Sequence, residues 1–90
     1  MNLTKNAENL LRIIYGEYAG RVKGGADKNT AVVFESPRAI KHLTGGFSYE
    51  VINESFRELM RDSCLTGKIN VDGSIGEFKL TDTALEYLSD

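Results

Sequence analysis

Apolar residues recur at three- and four-residue steps through Leu3, Ala7, Leu10, Leu11, Ile14 and Tyr18, the spacing that lines one stripe of a helix. The pattern predicts an amphipathic helix over residues 4–18, with Thr4 as N-cap and Gly16 and Gly20 weakening its far end. Residues 20–29 have no period and carry glycines, so they are expected to form a flexible loop. The β-rich run at 30–34 suits one short strand. Ser36-Pro37 then reads as N-cap and first helical position of a second helix ending near Leu43, its inner face made of Ala39, Ile40 and Leu43. Gly45-Gly46 is the expected turn, with glycine permitting positive φ at the helix C-terminus. Ser48 caps a third helix that buries Ile52, Phe56, Leu59 and Met60. Leu65, Gly67, Ile69 and Val71 alternate with polar residues, as do Phe78 and Leu80. Asp72-Gly73-Ser74 between the two runs predicts a β-hairpin. Thr81 or Asp82 starts a closing helix with Ala84, Leu85 and Leu88 turned inward.

The expected fold class is therefore α+β, in one domain over residues 1–90, since 90 residues suffice for one domain and not two. No apolar run approaches 18 residues and the first residues are too polar for a signal peptide, so the expectation is a cytoplasmic chain without a membrane span. One cysteine, Cys64, excludes an internal disulfide, and with a single histidine a Cys2His2 metal site is excluded too. Cys64 reads as a small buried hydrophobe. Neither a phosphate-binding Gly-Lys-Ser/Thr loop nor a supported nucleophile–base set appears, and no cofactor or enzymatic activity is expected. Net charge is −2, so a nucleic-acid surface would have to be a local patch or be built by oligomerisation.

Helix, strand, helix, turn, helix, hairpin and closing helix, together with the run KLTDTALEYL at 79–88, resemble the winged helix-turn-helix superfamily. The likeness covers nearly the whole chain and is nearest to small bacterial and phage proteins of that type. Their common pattern has glycine where Ala84 stands here. The resemblance implies a three-helix core, a short first strand, a two-stranded wing and a C-terminal helix. It also implies that the third helix enters the major groove of double-stranded DNA.

On that implication the candidate DNA-binding residues are Ser36, Arg38 and Lys41 at the second helix, Ser48, Tyr49, Asn53 and Arg57 at the third, and Lys68 on the wing. Asn pairs with adenine and Arg with guanine, while Lys, Arg and a capping Ser suit phosphate. Arg21, Lys23 and Lys28 offer a second reading of the 20–29 loop, as a basic arm. Against base readout stands a row of carboxylates, Glu50, Glu54 and Glu58, at four-residue spacing, offset by Glu54–Arg57 and Glu58–Arg61 pairs. The functional expectation is a small transcriptional regulator acting as a homodimer on paired half-sites. The alternatives are a protein-interaction module using the acidic third-helix face, or a structural homodimer through the first and last helices.

Overall fold

The computed structural model describes residues 2–89; Met1 and Asp90, the ends of the expected 1–90 domain, lie outside the described residues. Among the described residues the chain is α+β, with five helices and one three-stranded antiparallel sheet. The elements in order are α1 (Lys5–Lys23), α2 (Lys28–Ala31), β1 (Val33–Phe34), a 3₁₀ helix (Pro37–Leu43), α3 (Tyr49–Arg61), β2 (Leu65–Ile69), β3 (Ile75–Leu80) and α4 (Asp82–Leu88).

Four expected caps are in place. The side chains of Thr4, Ser36, Ser48 and Thr81 accept from the backbone N–H groups of Ala7, Arg38, Val51 and Ala84. Each satisfies one donor that the first turn of a helix leaves free.

Helix α1 runs to Lys23, not Tyr18, and so takes up much of the expected 20–29 loop. Tertiary contacts override the two glycines: Tyr18 is buried and Val22 packs against the core. Lys28–Ala31 is a short helix started by Asp27, which leaves only Val33–Phe34 of the expected 30–34 strand. The basic-arm reading fails with the loop. Arg21 belongs to α1, donates to the Val33 carbonyl at 2.9 Å and lies 4.2 Å from the Phe34 ring centroid. It is a packing residue that joins α1 to β1.

The second expected helix is a seven-residue 3₁₀ helix in which Ile40 is buried; Leu43, expected inside, is 44% exposed. The three-residue repeat stacks Leu43 on the side of Pro37 and Ile40, but as the last residue of the helix it stays largely outside the core. The turn after it does not use positive φ at Gly45 or Gly46; among the described residues positive φ occurs at Gly25, Ser63 and Gly73.

The sheet order is β1-β3-β2. Phe34 pairs with Phe78, and Leu65 with Leu80, so the strand residues that face inward meet α1 and α3. Gly67 is required by close packing: a Cβ there would lie 2.9 Å from the Glu77 carbonyl oxygen. Register shifts between Gly67 and Ile69, and β2 ends at Ile69. The alternation predicts one buried face holding Ile69 and Val71, yet they are 46% and fully exposed. Across the irregularity the two strands part company in burial, since Ile75 of β3 remains in the core while Ile69 opposite it does not.

Candidate nucleic-acid interface

Ile40 pins the 3₁₀ helix to the core, and Arg38 and Lys41 on the same helix stay exposed. Helix α3 buries Ser55, Phe56 and Leu59, half-buries Ile52 and Asn53, and leaves Tyr49 73% exposed. Between these two elements and the hairpin lies an open trough of about 800 Å³. Of the expected binding residues it gathers Ser36, Arg38, Lys41, Tyr49 and Asn53. Its lining contains no Asp or Glu.

The other three expected residues do not line the trough. Ser48 Oγ accepts the Val51 N–H at 3.2 Å and acts as the cap of α3. Arg57 Nη2 donates to the Gly73 carbonyl at 2.7 Å, fastening α3 to the hairpin turn. Lys68 is exposed where the hairpin register shifts. Ser36 is in the trough, but its Oγ already accepts from Arg38 N at 3.2 Å.

The glutamate row is broken. Glu58 turns towards the start of α1, where its Oε2 accepts the Thr4 N–H at 2.7 Å and its Oε1 the Thr4 hydroxyl at 2.8 Å. That carboxylate sits at the positive end of α1. Only Glu50 and Glu54 of the three stay exposed. The expected Glu54–Arg57 and Glu58–Arg61 pairs are not formed; the ion pairs among the described residues are Arg12–Glu8 and Arg21–Glu17, and His42 Nε2 lies 3.8 Å from Glu17 Oε1.

The sequence reading missed Asn70 and Ser74, which close the hairpin side of the trough. Asn70 Nδ2 donates to Ser74 Oγ at 3.0 Å, and Asp72 Oδ1 accepts from both Ser74 N and Ser74 Oγ. These Ser74 bonds hold the Asp72 carboxyl below its ordinary range. The only sequence signal was the polar turn itself. That it folds back against α3 depends on Arg57 and cannot be read from spacing.

Compared with known proteins, the chain matches no family model, no curated protein and no solved structure. The site must therefore be judged on its own chemistry. Cys64 is buried, and burial raises its thiol above the ordinary range, so it is a poor nucleophile at neutral pH. Among the described residues no group of three His, Cys, Asp or Glu side chains is placed to hold a metal ion, and no helix is long and apolar enough to cross a membrane.

Proposed function

We propose that this protein is a winged helix-turn-helix domain that binds double-stranded DNA as a small transcriptional regulator, with a homodimer reading paired half-sites. The observation that carries the reading is the trough beside the hairpin, whose lining has no carboxylate and includes Arg38, Lys41, Tyr49 and Asn53. Arg38 and Lys41 are exposed and contact phosphate; Asn53 and Tyr49 at the start of α3 address base edges. In this reading the β2–β3 hairpin of the β1-β3-β2 sheet serves as the wing, held by the Arg57 bond to Gly73.

Fluorescence anisotropy on labelled genomic duplexes tests this. The expected result is salt-dependent binding. Arg38→Ala with Lys41→Ala should reduce the slope of log K against log salt by about two, one for each lost phosphate contact. No binding by roughly 100 µM protein at low salt, or binding indifferent to salt, overturns the proposal.

Glu50 and Glu54 support one second reading, because both stay exposed on α3. A basic protein partner would dock there. Glu50→Ala with Glu54→Ala tightens DNA binding under the first reading. Under the second it abolishes the protein contact, and DNA binding is absent throughout.

A further inference from the structure

The trough carries more apolar surface than a phosphate backbone would use. Pro37, Phe47, Ile52 and Ile75 wall it, and Ile40 and Phe56 close its floor. Four segments bound it: the 3₁₀ helix, the 44–47 turn, the start of α3 and the hairpin. A volume of about 800 Å³ falls within the range of clefts that take small organic molecules. Polar side chains come from each wall, Asn53 from α3, Asn70 and Ser74 from the hairpin, and Arg38 and Lys41 from the 3₁₀ helix.

The charge of this lining is unlike that of the chain. The sequence carries 13 acidic residues against 11 Lys and Arg, yet two cations and no carboxylate border the trough. Neither Arg38 nor Lys41 forms an ion pair or a side-chain hydrogen bond among the described residues. Apolar walls favour an apolar body, and two cations without counter-ions favour an anionic head. Inorganic phosphate meets only the second demand, and a neutral hydrocarbon only the first.

We propose that the trough binds an amphiphilic monocarboxylate. Its alkyl or aryl body lies against Phe47, Ile52 and Ile75, and its carboxylate accepts from Arg38 and Lys41. This claim stands whether or not the chain binds DNA. Its regulatory consequence rests on the DNA reading: ligand and duplex would compete for the same two cations, so the ligand would release DNA.

The test is a ¹H–¹⁵N correlation titration of the full chain with octanoate, 1-octanol and acetate as separate probes. Octanoate should give saturable shifts centred on Phe47, Ile52, Asn53 and Ile75. Affinity should rise about fourfold for each methylene from hexanoate to octanoate. 1-Octanol should bind about tenfold more weakly, and acetate should not saturate. Arg38→Ala with Lys41→Ala should bring octanoate down to the octanol affinity while leaving octanol unchanged. Both side chains are exposed, so the spectrum should keep its dispersion. The inference is overturned by the absence of saturable shifts, by equal affinity for octanoate and octanol, by acetate binding as tightly as octanoate, or by shifts lying elsewhere. Because these readouts contain no DNA, their failure is distinct from failure of the anisotropy experiment. An octanoate titration of a preformed DNA complex then reads the competition directly.

Discussion

Arg57 and Glu58 are neighbours in α3, and each is drawn off the helix surface by a different part of the chain. Arg57 goes to the hairpin turn, where Gly73 has φ of +86° and offers its carbonyl. Glu58 goes to the first residues of α1 and takes two hydrogen bonds from Thr4, whose hydroxyl in turn caps Ala7 N at 3.3 Å. Carboxylate acceptors make the stronger kind of hydrogen bond, and a negative charge at a helix N-terminus adds a favourable dipole term. Glu58→Ala should therefore cost about 1–2 kcal/mol in urea denaturation, with Glu58→Gln losing less. An unchanged midpoint for Glu58→Ala would show that the carboxylate is solvated and that the Thr4 contact contributes nothing. The identities of both residues were plain in the sequence, but their directions were not. Four-residue spacing puts Glu50, Glu54 and Glu58 near one another on a helix surface; only the packing of α1 decides that the third is covered.

At the level of elements, the local signals survived wherever one residue type carries the mechanism. Ser36-Pro37 and the capping Ser48 and Thr81 start their elements as expected, because a short side-chain acceptor does the same job in any fold. Element ends were harder to read. Helix α3 closes with Cys64 N donating to the Leu59 carbonyl and Ser63 N to that of Met60, a Schellman arrangement. The left-handed position is Ser63, with φ of 63°, so no glycine announces it. Seven residues also hold too few repeats to separate a three-residue helical period from one of 3.6, and the 3₁₀ geometry of Pro37–Leu43 was illegible for that reason. In α1, Gly16 and Gly20 weaken the helix less than their propensity implies. Both are exposed, and an added Cβ would meet nothing within 4 Å at either position. Gly16→Ala and Gly20→Ala should each stabilise by about 0.5–1 kcal/mol, seen as a rise in melting temperature of roughly 2–8 °C. A fall at either position would mean that another surface covers this side of α1 in solution.

On the scale of the molecule, the core joins sheet to helices through three aromatic rings. Phe34 and Phe78 stack with centroids 5.0 Å apart, and Phe56 of α3 meets Phe78 edge-on at 4.9 Å. Leu10, Leu11 and Ile14 of α1 belong to the same buried cluster. The two ends of the fold are tied as well, since Tyr87 of α4 donates a hydrogen bond to Glu8 of α1. That bond, with a smaller effect from Arg12, holds the Glu8 carboxyl below its ordinary 4.5. It also raises the Tyr87 hydroxyl above its ordinary 10.0, while burial raises Cys64 above 9.0. For Glu8 and Asp72, whose ordinary values are 4.5 and 3.8, the folded state favours the charged form. Their contribution is complete above those values and disappears as pH falls through the lower folded ones. For Cys64 and Tyr87 the folded state favours the neutral form, so their contribution is complete below 9.0 and 10.0 and disappears as pH rises through the higher folded values. Melting temperature should accordingly be flat between 4.5 and 9.0 and decline on both sides. Tyr87→Phe removes the Tyr87 part of the alkaline decline, which keeps its Cys64 part, and weakens the acid decline, which keeps its Asp72 part and the smaller effect of Arg12 on Glu8. Thermal melts of both proteins across pH 3–11 decide the matter. Superimposable pH profiles would show that the Glu8–Tyr87 bond does not couple α1 to α4 in solution.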